Sequence, residues 1–251
     1  MSFPLVIEGR DEEGLNDRSF SHTGVPLLAS FDFQFQDGLL GSVDRHIHQI
    51  LIDPDFEPDT MRLGFQNSSD EDDESEYEYK IVHQIVDTPG ILRFSRRLDI
   101  CSEIECSVPL ERPTGDFVFV LVGFQLQYHG TDHHIKRVRV LEWDGNLKIR
   151  FRDNHDDPPP VSEFSVQYAY VPRSLFIELG SSSGTNNRAD GTDIPVGPAV
   201  IRGFSLEFPH DDHHLRRIGV LSGDGRLEVR YADLNGDDPF DWYVDWGILA
   251  V

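Results

Sequence analysis

One pattern constrains the fold of this chain more than any other: the same unit is written three times. The triplet Asp-x-His recurs at Asp44/His46, Asp132/His134 and Asp212/His214, a period of about 80 to 88 residues, which is longer than that of a solenoid repeat. Residues 123–171 match 203–251 segment by segment. Gly123-Phe124-Gln125-Leu126-Gln127-Tyr128 pairs with Gly203-Phe204-Ser205-Leu206-Glu207-Phe208, and Ile135-Lys136-Arg137-Val138 with Leu215-Arg216-Arg217-Ile218. After a shared Asp-Gly, Leu147-Lys148-Ile149-Arg150-Phe151 meets Leu227-Glu228-Val229-Arg230-Tyr231. The first copy is more divergent, with Phe31-Asp32-Phe33-Gln34-Phe35, the Asp44 triplet, a segment over 61–65 and an acidic insert at 68–76. The chain therefore divides into residues 1–88, 89–172 and 173–251.

Within each unit the apolar residues alternate. Phe31/Phe33/Phe35, Phe204/Leu206/Phe208 and Leu227/Val229/Tyr231 have a period of two, which puts each set on one buried face of a sheet. Helical spacing is nearly absent. Asp37-Gly38, Asp144-Gly145 and Asp224-Gly225 fall between strand candidates, where hairpins need residues that tolerate positive φ. The expectation is an all-β chain of three tandem β-sandwich units in a pseudo-threefold arrangement, each able to form a small domain. The stretch 180–197, rich in Ser, Gly, Asn and Asp, reads as a long exposed loop, and Pro158-Pro159-Pro160 as irregular.

Charge narrows the partners. Against 22 basic residues stand 45 acidic ones, a formal net charge of -23, so the summed field repels nucleic acid and anionic membrane surfaces. The amino terminus lacks a basic, apolar leader pattern, and no window approaches the roughly 18 apolar residues of a membrane span. This predicts a cytoplasmic protein, or one exported without a recognisable signal peptide. Cys101 and Cys106 are too few for a disulfide framework or a zinc site, but when oxidised they can close a small loop.

Candidate chemistry is sparse. There is no Gly-x-Ser-x-Gly, no phosphate-cradling Gly-rich loop and no Cys/His nucleophile pair, which argues against an enzyme. His46, His134 and His214 hold equivalent positions, so a threefold arrangement can bring three imidazoles to one axis as a transition-metal site. The competing and favoured reading has each His capping a turn, its neighbouring Asp fixing the ring tautomer. The acidic turns containing Asp153 and Asp157, and Asp233 and Asp237, offer hard oxygens to calcium. Without the spacing of an EF-hand, such turns more simply bond their own backbone.

Aromatic rings serve cores more often than ligands, yet an exposed ring stacks on the C–H face of a sugar. The closing strands carry Tyr168 and Tyr170 in the second unit and Trp242 and Trp246 in the third, and these four are the candidate ligand platform.

The third unit's order is an apolar strand over 200–208, an Asp-containing turn, the Arg-bearing Arg217-Ile218-Gly219-Val220, a Gly turn, residues 227–231 and a terminal Val244-Asp245-Trp246-Gly247-Ile248. Over roughly the second half of each unit this resembles the H-type lectin domain, a small β-sandwich whose last strand often carries Val-x-Trp. The resemblance implies trimers with sugar bound near subunit contacts, and a chain of three copies would be similar to a covalently linked trimer. The Asp-His-His turns depart from that pattern and no recognisable sugar-binding set is present, so no binding residue carries over. The leading expectation is a non-enzymatic module recognising a glycan or protein surface through three linked units. The alternative is a structural or adaptor subunit of a larger assembly, such as a phage-like particle or fibre component, matching a trimeric partner. A metalloenzyme ranks third, since it would need an open position on the His cluster.

Overall fold

A computed structural model describes residues 2–12, 14–36, 47–67, 76–101, 105–128, 134–153, 162–187, 189–209, 214–233 and 238–250. Each unit supplies six strands. The first gives β1 (Ser2–Glu12), β2 (Gly14–Ser19), β3 (Val25–Phe35), β4 (Ile47–Glu57), β5 (Thr60–Asn67) and β6 (Glu76–Val86). The second gives β7 (Leu92–Cys101), β8 (Cys106–Pro109), β9 (Phe117–Tyr128), β10 (Ile135–Trp143), β11 (Asn146–Asp153) and β12 (Ser162–Pro172). The third gives β13 (Phe176–Asn187), β14 (Ala189–Asp193), β15 (Ala199–Glu207), β16 (Leu215–Gly223), β17 (Arg226–Asp233) and β18 (Pro239–Leu249). The described chain is all-β apart from one 3-10 turn, Arg173–Leu175. Among the described residues no helix is long and apolar enough to cross a membrane.

The three units interlock. Sheet I has the order β1-β6-β3-β16-β17-β14, sheet II β2-β5-β4-β9-β12-β7, and sheet III β13-β18-β15-β10-β11-β8. Each unit thus splits into two three-stranded halves that enter different sheets, and every six-stranded sheet joins halves of two units. The joins are short antiparallel ladders in matching register: Val220 opposite Phe31, Ile52 opposite Phe124, and Val140 opposite Phe204. Because the third unit pairs back onto the first through β16 and β3, the arrangement closes on itself. The units are accordingly not separate globules.

Two ring sets show how exactly equivalent side chains build the core. Phe31, Phe124 and Phe204, from the central strand of each sheet, form a triangle with centroid separations of 5.3, 5.1 and 5.4 Å. The stacks Phe35 on Phe65, Tyr128 on Phe151 and Phe208 on Tyr231, at 4.5, 4.6 and 4.3 Å, hold the two halves of each unit face to face. A buried Phe contributes about 1.5–3 kcal/mol and a well-placed ring pair about 0.5–1.5 kcal/mol beyond it, so these contacts bind the sheets as well as fill them. The sandwich-like packing lies within each unit, while the hydrogen-bonded sheets run between units. One apolar cluster spans all three.

The alternating residues predicted to face the core are all buried. The Asp-Gly turns are also formed as the sequence demands: Asp144 and Gly145 have φ of 51° and 75°, and Asp224 and Gly225 of 51° and 76°. Two successive positive φ values give the turn twist that matches a hairpin. Asp37-Gly38, the three prolines at 158–160 and most of the acidic insert lie outside the described residues.

The expected loop over 180–197 is corrected. Its first part is β13, an edge strand paired with β18 in the register Gly180 to Trp246 and Gly184 to Trp242. The small residues are seats for the indoles: a Cβ on Gly180 would lie 2.3 Å from the Trp246 ring, and one on Gly184 2.7 Å from Trp242 Nε1. Trp246 Nε1 donates to Ser182 Oγ at 3.0 Å, and Trp242 Nε1 to Asp190 Oδ2 at 2.7 Å. A composition suited to loops here serves close packing of a strand against two large rings.

Candidate functional site

The outer face of sheet III carries a surface site built from fixed side chains. Along β10 the side chains alternate, so that Val138 and Val140 enter the core while Arg139 and Trp143 face outward. Register sets Tyr243 beside Ser205, Ser205 beside Arg139 and Arg139 beside Arg150, a cross-strand row spanning β18, β15, β10 and β11. One step along, Leu141 lies opposite Lys148. Together with Glu105, which immediately precedes β8, these side chains line an open cleft of about 580 Å³: Glu105, Arg139, Leu141, Trp143, Lys148, Ser205 and Tyr243.

Trp143 stands at the lip, 61% exposed, where β10 runs into the Asp144-Gly145 turn. The turn itself is pinned: Leu110 N–H donates to Gly145 O at 2.9 Å, and Gly145 N–H to Glu142 Oε1 at 2.9 Å. The indole is therefore presented on a rigid edge.

The polar groups are equally fixed. Arg139 Nη1 donates to Glu105 Oε2 at 2.6 Å and its Nε to Ser205 Oγ at 3.2 Å. Lys148 Nζ and Arg150 Nε stand 3.8 and 3.9 Å from the same carboxylate. Tyr243 donates its hydroxyl to Asp245 Oδ1 at 2.7 Å. Burial pushes the Asp245 carboxyl upward despite that hydrogen bond and the nearby Arg202, and burial likewise raises Tyr243. The next residue after Glu105, Cys106, is disulfide-bonded, and Cys101 is the only other cysteine in the chain.

The equivalent faces of the other sheets are built differently. On sheet I, Asp32 fills the centre, accepting from Arg217 at 3.0 and 2.6 Å and from Arg230 at 2.8 Å. On sheet II the corresponding row is Ser165, Gln125, Leu51 and Gly64, with Gln125 donating to Gln127 at 2.9 Å. A second polar cleft of about 460 Å³, between β1 and β2, is lined by Arg10, Asp11, Glu12, Asn16, Arg18 and Glu76. There the arginines are taken up internally, Arg10 by Glu76 and Arg18 by Asp11 and the Tyr79 hydroxyl.

The four aromatic residues proposed as a platform lie elsewhere. Trp242, Trp246, Tyr168 and Tyr170 are buried, none more than 7% exposed. Tyr168 is stacked between Phe94 and Phe119 at 5.5 and 5.0 Å, and the tryptophans rest on β13. A covered ring has no face to offer an incoming ligand, because the closing strand of each unit lies within its sheet with that side turned to the core.

Of the metal candidates, two are brought together. His134 and His214, just before β10 and β16, have ring centroids 4.5 Å apart at 63°. Asp233 is buried at the end of β17, paired with Leu215. Asp153 ends β11 opposite Ile135, while His46, Asp157 and Asp237 lie outside the described residues. Among the described residues no group of three or more His, Cys, Asp or Glu could hold a metal ion.

The sequence candidates do not include Trp143, nor Glu105, Arg139, Lys148, Ser205 and Tyr243 as a set. A usable signal was present: parity along β10 places Arg139 and Trp143 on one solvent face, and a Trp directly before a hairpin turn has little core to enter. The cross-strand partners come from other strands, two of them in the next unit, and no local pattern records that register. No known family model matches this chain, and no curated protein matches its sequence.

Proposed function

We propose that this protein is a non-catalytic, lectin-like binding module that takes a saccharide in the cleft of sheet III. The observation that carries the reading is Trp143, an indole 61% exposed at the lip of a cleft otherwise lined by fixed polar groups. Exposing so large an apolar ring to water is unfavourable unless something covers it, and a sugar's C–H face does so while its hydroxyls meet hydrogen-bonding groups. Arg139, Lys148, Ser205 and Tyr243 supply such groups around the ring. Their positions are set by the sheet rather than by mobile loops, so little ordering entropy opposes binding. Because the three outer faces differ in chemistry, the described residues form this site once, and avidity comes from several copies of the chain or several sugar units.

The disulfide at Cys106 suits an oxidising compartment, which favours export over a cytoplasmic location. The assay is a glycan array read with tryptophan fluorescence. Trp242 and Trp246 are buried, so a change in the exposed indole's emission reports this cleft. Binding lost in Trp143→Ala with the fold intact is the expected result. A silent array with folded protein would sink the saccharide reading and leave the scaffold subunit as the better one.

A further inference from the structure

We propose that the saccharide bound by this cleft is acidic, carrying a carboxylate or a sulfate that lies between Arg139 and Lys148; this inference rests on the saccharide reading above. Around the cleft three cations, Arg139, Lys148 and Arg150, surround one carboxylate, Glu105. Only Arg139 makes a hydrogen bond with it, at 2.6 Å. At 3.8 Å the Lys148 ammonium is beyond hydrogen-bond range, so its three N–H groups are not spent on Glu105. Arg139 uses Nη1 for Glu105 and Nε for Ser205, which leaves the Nη2 hydrogens for a ligand.

Sheet I is built differently at this point. On sheet I the equivalent region sets Arg217 and Arg230 against Asp32 and Glu228, a balanced group. Arg139 and Lys148 stand close together around Glu105, and an anion lying between them would be attracted by both at short range. Arg139 already bonds Glu105, so the carboxylate does not account for Lys148. Glu105 acts as a positioning residue that holds the Arg139 guanidinium from one side. An anion reaching both Nη2 and Nζ would place the sugar ring beside Trp143 and Leu141, which line the same cleft.

The test compares tetrasaccharides of equal length by calorimetry and tryptophan fluorescence: an oligogalacturonide, its full methyl ester and a sulfated galactan. The ester keeps the ring and removes the charge. Expected is binding of the galacturonide, the sulfated galactan or both, with the ester about tenfold weaker or worse. Lys148→Gln, which leaves the Arg139 bond to Glu105 intact, should weaken the acidic ligand about tenfold more than it weakens the ester. Equal binding of ester and acid would overturn the charge inference while the saccharide reading stands. No response from any of the three, with the circular dichroism of folded protein, would overturn both.

Discussion

His83 gives the fold a calculable acid sensitivity. It lies on β6, fully buried, with its edge against the Phe20 ring at 5.2 Å. Its Nε2–H donates to the Val122 carbonyl at 2.8 Å. That carbonyl belongs to the residue skipped where the β9 register shifts against β12. The other ring nitrogen, Nδ1, has no partner, so protonation would place a charged, unpaired N–H in the core. Burial, reinforced by the nearby His22 and opposed by the Val122 bond, pulls the imidazole from 6.5 to about 4. Since the folded value is the lower one, the unfolded chain binds the proton first as pH falls. The contribution is complete above about pH 6.5 and drains away as pH drops toward 4. Each unit of difference is worth 1.36 kcal/mol, so the full loss is about 3 kcal/mol, of which about 2 kcal/mol falls between pH 7.5 and pH 5. The assay is urea unfolding at those two pH values for the wild type and for His83→Met. The variant forfeits the bond to Val122 and starts less stable, but that cost does not depend on pH. Subtracting the two series removes the background of the other titrating groups. With a slope of about 3 kcal/mol/M, the wild-type midpoint should fall about 0.7 M further than the variant's. Parallel shifts in the two proteins would refute the assignment of acid sensitivity to this ring.

Three further outcomes follow from packing and connectivity. Reducing the bond at Cys106 opens a loop of about six residues, for which chain entropy predicts a loss of about 2 kcal/mol, measured as the change in unfolding midpoint with and without reductant. Gly180→Ala drives a methyl into the Trp246 ring and should cost about 1–3 kcal/mol, with a changed near-ultraviolet spectrum; an unaltered melting temperature would contradict the seat described for that indole. Removing residues 173–251 leaves β3 and β10 as bare edges and takes Phe204 from the ring triangle, so the remaining chain should show no cooperative unfolding transition. A stable monomer of residues 1–172 would show that the units do not depend on a shared core.

The repeat made most of the architecture legible, and the reason is chemical. The residues that recur, such as Phe31, Phe124 and Phe204, recur because each must fill the same third of one central space, and alternation along a strand declares which side chains do so. Sequence did not reveal that each unit divides between two sheets. Strand pairing is a choice among edges of similar pattern, and the seams that join units involve register between residues as distant as Ile218 and Phe33. The Ser- and Gly-rich strand β13 was misread for a related reason. Its small side chains are meaningful only beside Trp242 and Trp246, more than fifty residues away, and alone they look like a loop. That Trp242 and Trp246 are buried was not legible, because parity gives two faces without saying which one is wet.

Equivalent positions in the three units have followed two different rules. Where side chains point inward, threefold equivalence persists down to ring separations that agree within a few tenths of an ångström, since any one enlarged ring would have to displace the other two. Facing outward, the positions matching Ser205 are Asp32 and Gln125, and their neighbours differ just as widely. No packing constraint couples those three faces, so each is free to take its own chemistry. Asp32 with its two arginines closes one face as a staple across the seam between the first and third units. Sheet III shows the opposite solution across its own seam, between the second and third units: Arg139 bonds only a small hydroxyl, Ser205, on the neighbouring strand and is drawn toward Glu105, which leaves the space that Trp143 overlooks. A carboxylate in place of Ser205 would fill that space with the same kind of ion pair as on sheet I.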